Sequence, residues 1–261
     1  MVNYLGLDEI LKNSLIDTFF QPIVNLDDGS ILGYEALSRG PRGSGLYHPN
    51  ALITEAKSRS RMGELDRLFK EMALINASKR HLCKPLFINV DPASLYKLDR
   101  SDSVLRRCLD YGIPPQQIIV EISGKNELCS FETFRKITEE LRAAGFSIGY
   151  DDISCHLSNI DGMSGISPDY IKIDGQFVHE IDKADNQSYA REIGDILSIA
   201  KMLGAKVIAV GVESKEELSF LYRMGVQAAQ GNLLGKPQKS LAVVSEQVQA
   251  LIRSFSATGE E

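Results

Sequence analysis

Eight short β-rich runs, most of them separated by segments of helical periodicity, constrain this chain more than any other feature. The runs are FFQPIV (19–24), ILGYEAL (31–37), PLFINV (85–90), QIIVEI (117–122), FSIGYD (146–151), DYIKID (169–174), KVIAVGV (206–212) and VQAAQG (226–231). Helical patterns fill LITEAKSRSR (52–61), GELDRLFKEMALINASKR (63–80), residues 130–145, where Phe134, Ile137 and Leu141 share a face, and residues 188–204. Gly145, Gly204 and Gly225 fall where helices should stop. Repeated strand–helix units leave two architectures, an eight-stranded α/β barrel or a doubly wound open sheet. No G-x-G-x-x-G follows the first strand, which argues against the open sheet as a dinucleotide binder. NLDDGS (25–30) is short enough only for a hairpin, so the first two strands are expected to be antiparallel. No Pro-, Gly- or Ser-rich linker divides the chain. The reading is one α/β domain over residues 1–261, a modified TIM (β/α)8 barrel. Its motif-bearing core runs from about 15 to 240, with a C-terminal helix and frayed tail over 241–261.

Composition narrows the partners. The formal net charge is −6 and no long Lys/Arg block is present, which disfavours a DNA or RNA polymer as ligand. A small phosphate ligand needs only one or two local cations. Cys83, Cys108, Cys129 and Cys155 are scattered without zinc-type spacing and read as free thiols of a reducing compartment. MVNYLGLDEI has no basic region before an apolar run, and no stretch reaches the length of a membrane span. The expectation is a cytoplasmic protein without a membrane segment.

A barrel gathers the carboxyl ends of its strands at one mouth, and there this sequence places polar residues. Gln21 comes just before Pro22 in the first run, Glu35, Leu37 and Arg39 share a face of the second, and Asn89 stands between Ile88 and Val90. Glu121 stands between Val120 and Ile122, Lys172 between Ile171 and Ile173, and Asp151 and Asp152 are adjacent at the end of the fifth run. Glu213 and Gln230 follow on the last two. Singly, each has an ordinary explanation as a salt-bridged strand end or a turn residue. Together they crowd acids, an amide and a lysine into one small volume, where excess negative charge calls for cations. Oxygen donors without clustered His or Cys suit Mg²⁺ or Mn²⁺. Asp151 would bridge two ions and Asp152 reach the second, a geometry for in-line displacement at phosphorus. Arg39 would hold a phosphate, and Lys172 would steady the attacking water or the developing charge.

Taken in order, QPIV (21–24), EALSR (35–39), INVDPASL, EIS (121–123), DD (151–152), YIKID (170–174), GVES (211–214) and QGNLLGKP (230–237) resemble the EAL domains, phosphodiesterases and receptors of the bacterial second messenger cyclic di-GMP. The resemblance runs from about Phe19 to Pro237. It implies a modified TIM barrel with one antiparallel strand, cyclic di-GMP as ligand, and Mg²⁺- or Mn²⁺-dependent hydrolysis to pGpG. By position, Glu35, Asn89, Glu121 and Asp151 match ligands of the first metal and Asp152 a ligand of the second. Lys172 matches the lysine that positions water, and Gln230 a residue supporting the water and metal site. Gln21, Leu37 and Arg39 match contacts to the nucleotide and its phosphate.

The departures cluster. Active members read Ala-Glu-Gly-Val-Glu where this chain has AVGVE, so a second-metal ligand and proposed general base is Val210. Gly124 replaces a carboxylate that anchors the neighbouring loop, that loop is changed at residues 153–157, and Asn232 replaces a tyrosine. Three functions are consistent with this pattern: a degenerate receptor that binds without cutting, a slow phosphodiesterase in which Glu213 or His156 partly covers the missing carboxylate, or a nucleotide-free interaction module. Expected partners are cyclic di-GMP and either a second copy of the chain or a signalling protein.

Overall fold

The computed structural model describes residues 5–91, 106–123, 131–153, 167–179 and 187–257. Its strands are β1 (Asp17–Asn25), β2 (Ile31–Arg39), β3 (Leu86–Val90), β4 (Ile118–Ser123), β5 (Ser147–Ile153), β6 (Tyr170–Ile173), β7 (Lys206–Val210) and β8 (Ala228–Gln230). They close into a barrel in sequence order. Strand β1 is antiparallel to both β2 and β8, and every other adjacent pair is parallel. The expected barrel with one antiparallel strand is therefore the fold. The reversal comes from the hairpin, which is too short for a crossover. Gly29 takes φ 74° there, and Asp28 Oδ1 accepts the Ser30 N–H at 2.8 Å.

The helices are α1 (Leu7–Lys12), α2 (Pro49–Ser58), α3 (Met62–Lys79), α4 (Phe131–Ala143), α5 (Gly175–His179), α6 (Gln187–Leu203), α7 (Lys215–Met224) and α8 (Glu246–Ala257). Gly145, Gly204 and Gly225 stand just past helix ends with φ of 95°, 70° and 87°, as their positions in the sequence predicted. At the other end of α7, Ser214 and Glu217 form a capping box. The expected run 206–212 is shorter as a strand, because Gly211 at φ 87° turns the chain out of the ladder. The loop residues from Gly124 and the span 154–157, including His156, lie outside the described residues, as do Cys129 and Cys155. Cys83 and Cys108 are free thiols.

Alternation along the strands produces two apolar regions and one polar layer. Ile88, Val90, Val120, Ile122, Ile148, Ile171, Val207 and Ala209 face outward into the core shared with the helices. Ile23, Phe87, Ile119, Ile208 and Ala228 face inward and fill the lower barrel, with Tyr170 packed edge-on against Phe87 at 5.1 Å between ring centroids. A filled interior makes this a packed core, so chemistry is confined to the layer above it. A separate cluster of Leu7, Ile10, Leu52 and Leu65 binds α1, α2 and α3 together. Among the described residues, no helix is long and apolar enough to cross a membrane.

Candidate functional site

One residue farther along each inward-facing set, the eight strands contribute Gln21, Glu35, Asn89, Glu121, Asp151, Lys172, Val210 and Gln230. The registers place them together: Gln21 opposite Glu35, Asn89 beside Glu121, and Val210 beside Gln230. Seven of these positions are polar and Val210 alone is apolar. Gly149, also inward, leaves room for Glu121, whose Cγ would lie 3.2 Å from an added Cβ.

Lys172 is the hub. It is 2% exposed, and its Nζ lies 2.8 Å from Glu35 Oε2 and 2.5 Å from Glu121 Oε1. Glu35 takes two further donors: Gln230 Nε2 reaches its Oε2 at 2.9 Å and Asn89 Nδ2 its Oε1 at 2.7 Å. Gln230 Nε2 also lies 3.2 Å from Gln21 Oε1, and Gln21 Nε2 donates to Gly235 O at 3.1 Å. Among the described residues, Glu121, 1% exposed, has only the lysine, and its Oε2 meets no hydrogen-bond donor.

These unequal surroundings separate the two acids. Burial raises the proton affinity of Glu35, but Lys172, Gln230 and Asn89 outweigh it and hold the carboxyl below its ordinary value. Burial pushes Glu121 well above its ordinary value, the charges of Glu35 and Asp151 add to that, and Lys172 offsets them only in part. Burial would favour neutral Lys172, but Glu121, Glu35 and Asp151 keep its proton tightly held. The buried layer is thus balanced by its own ammonium.

A hard divalent cation fits the donor chemistry of this layer. Among the described residues, Glu121 Oε2 and Gln230 Oε1 are buried and meet no donor, Glu35 and Asn89 lie alongside, and the charge of Asp151 is felt at Glu121. Lys172, however, now bridges Glu35 and Glu121, and among the described residues no three His, Cys, Asp or Glu side chains converge as a cage. At a second position, Val210 supplies no donor, and the side chain of Asp152 lies outside the described residues.

The remaining expected residues are higher in the mouth. Leu37 pairs in register with Phe19, and Arg39 with Asp17. Among the described residues Arg39 makes no ion pair; its guanidinium donates to Ser38 O at 2.8 Å and lies 5.9 Å from the Phe19 ring centroid. Glu213 stands apart from the ammonium network. It is exposed on the turn after β7, with Oε1 accepting from Asn232 Nδ2 at 3.0 Å.

Two supporting acids escaped the sequence reading. Buried Glu217 takes the N–H groups of Glu213 (2.6 Å) and Ser214 (2.9 Å) on Oε2, and His179 Nδ1 lies 3.1 Å from its Oε1. It fixes the turn that follows Val210, and its signal in the sequence was the S-x-x-E spacing of a capping box. Buried Asp66 pairs with Lys70 one turn on and accepts the Asp91 N–H at 3.0 Å, securing the exit of β3 just past Asn89. An acid and a lysine four apart on the buried face of GELDRLFK would have pointed to it.

Comparison with known proteins follows the same lines. The EAL domain family model matches residues 7–237. The probable cyclic di-GMP phosphodiesterase PdeA of Escherichia coli K12 is 29% identical over 232 residues, covering 82% of this chain but 31% of PdeA. The chain thus spans less than half the length of the curated relatives PdeA and PdeG. A standalone versatile EAL protein from Vibrio cholerae O395, solved in its c-di-GMP bound form, superposes with a TM-score of 0.79 at 26% identity, covering 92% of this chain and 97% of that one. The Klebsiella pneumoniae BlrP1 manganese/cy-diGMP complex gives a TM-score of 0.77 at 27% identity, covering 86% of this chain and 56% of BlrP1.

Proposed function

Because the chain belongs to the EAL domain family, we propose that it serves cyclic di-GMP signalling by binding the cyclic dinucleotide at the barrel mouth and holding it without cutting it. The observation that carries this reading is Val210, inward-facing and in register with Gln230 in a layer where every other strand offers a polar side chain. Valine can neither accept a proton nor hold a cation, and a missing base or metal ligand costs on the order of 10² to 10⁴ in rate. Binding draws on other groups. Arg39, without an acidic partner among the described residues, faces a phosphate; Gln21 and Leu37 contact the nucleotide. This EAL domain works in the cytoplasm and passes the signal to a second copy of itself or to a signalling protein.

A second reading, a slow phosphodiesterase, is favoured by the intact set Glu35, Asn89, Glu121 and Asp151 and by the Glu121 oxygen that meets no donor among the described residues. These residues would hold one Mg²⁺ or Mn²⁺, which when bound would neutralise phosphate charge. Lys172 and Gln230 would then orient a water against the phosphodiester, with Glu213 too exposed to replace a buried base.

Equilibrium dialysis against cyclic di-GMP with Mn²⁺, both chambers read by nucleotide chromatography, tests the proposal. Intact nucleotide concentrated with the protein supports it. Accumulation of pGpG in proportion to protein refutes it in favour of the enzyme, and equal unchanged nucleotide in both chambers refutes both. Val210→Glu should convert binding into Mn²⁺-dependent hydrolysis if Val210 is what blocks turnover.

A further inference from the structure

We propose that Lys239, seated beside Phe19 and Arg39 at the rim of the barrel, is a second phosphate-binding cation that engages the phosphodiester of a cyclic dinucleotide not held by Arg39; this rests on the binding function proposed above. The rim is built by β1 running against the strands. Its reversal brings Asp17 and Phe19 to the mouth, opposite Arg39 and Leu37. The segment after β8 then returns alongside β1: Phe20 and Gln238 exchange backbone hydrogen bonds at 2.8 and 3.2 Å, and Arg80 Nε donates to Lys239 O. Lys239 is therefore a long side chain on a backbone fixed at both sides. Its Nζ lies 6.0 Å from the Phe19 ring centroid, and Arg39 Cζ lies 5.9 Å from the same centroid. One aromatic ring gathers two cations at the entrance of the site.

Two like charges sharing a ring repel, and the structure answers with one acid. Asp17 Oδ2 accepts from Lys239 Nζ at 2.7 Å, leaving the cluster of Arg39, Lys239 and Asp17 with a net positive charge at the mouth. That pair is substantially exposed, 51% on the lysine side chain and 39% on the aspartate. An exposed pair of this kind is weak and screened by salt, so a phosphate can displace the carboxylate. A cyclic dinucleotide carries two phosphodiester anions, and the rim carries two cations on one pedestal. Lys239 exchanges Asp17 for the second anion as the ligand enters.

Isothermal titration of cyclic di-GMP into the full chain, at low and high salt, tests this with variants of opposite expected sign. Lys239→Gln should weaken binding by about 5- to 20-fold at low salt, with the deficit shrinking at high salt. Asp17→Asn, which frees the lysine, should tighten binding by about 2- to 5-fold. Both should melt close to the unmodified protein, since an exposed pair contributes little to folding. A purely structural Lys239–Asp17 bridge would move both affinities in the same direction, and that result overturns the proposal. Equal affinity of Lys239→Gln and the unmodified protein at both salts overturns it as well, while leaving the binding function standing. If the unmodified protein binds no cyclic di-GMP, both proposals fall.

Discussion

Replacing Lys172 with methionine probes the buried layer most directly. Methionine fills a similar volume but removes the ammonium that bridges Glu35 and Glu121. Breaking a buried ion pair commonly costs about 3–5 kcal/mol, because the remaining charge is stranded. Two features place the cost near the lower end. Glu35 keeps the amides of Asn89 and Gln230, and Glu121 is already poised to take up a proton. A loss of about 3 kcal/mol in a chain of this size lowers the melting temperature by roughly 6–12 °C. The pH dependence has a definite sign. Glu121 has a folded-state proton affinity raised above its ordinary pKa of 4.5, so its contribution is fully present below that value and is lost as pH rises through the folded value. Without Lys172 the folded value rises further, and the deficit of the variant should shrink on acidification. A divalent ion should replace the ammonium, so Mn²⁺ should restore more of the melting temperature in Lys172→Met than in the unmodified protein. Differential scanning fluorimetry in EDTA and in Mn²⁺ across pH measures all three effects. A variant that melts within about 2 °C of the parent in EDTA, or the same Mn²⁺ shift in both proteins, would refute the claim that Lys172 balances this layer.

Glu217→Gln should cost about 1–2 kcal/mol by weakening the hold on the Glu213 and Ser214 N–H groups, read by urea unfolding. Burial opposes ionisation of Glu217, but those N–H groups and His179 outweigh it and depress its pKa below 4.5. The parent's advantage should therefore hold above pH 4.5 and vanish as pH falls through the depressed value. Arg39→Ala should reduce cyclic di-GMP affinity by about 10- to 100-fold in titration calorimetry while changing stability by less than about 0.5 kcal/mol. Gly231→Ala places a methyl group 2.1 Å from Val212 O and should destabilise by about 3 kcal/mol or more in chemical denaturation.

The sequence by itself determined the barrel, because period-2 runs, helical segments, Gly stops and one short hairpin are local features that a strand or helix must obey. It also determined which residue types reach the mouth: Glu35, Asn89, Glu121 and Lys172 each sit at the inward parity of a strand whose outward neighbours are Tyr, Ile, Val or Ala, and Gln230 follows the outward Ala229. Strand parity alone, however, cannot say how far each strand slides past the next. Only the closed register decided that Val210 stands beside Gln230, that Lys172 touches both Glu35 and Glu121, and that Glu213 falls outside because Gly211 ends its strand. The same holds for groups that act across long separations. Glu217 reaches His179 and Asp66 reaches Asp91, while Lys239 finds Asp17 and Phe19 from the far end of the chain. Such contacts depend on the stagger of a closed sheet and the path of the returning chain, and no local pattern encodes either.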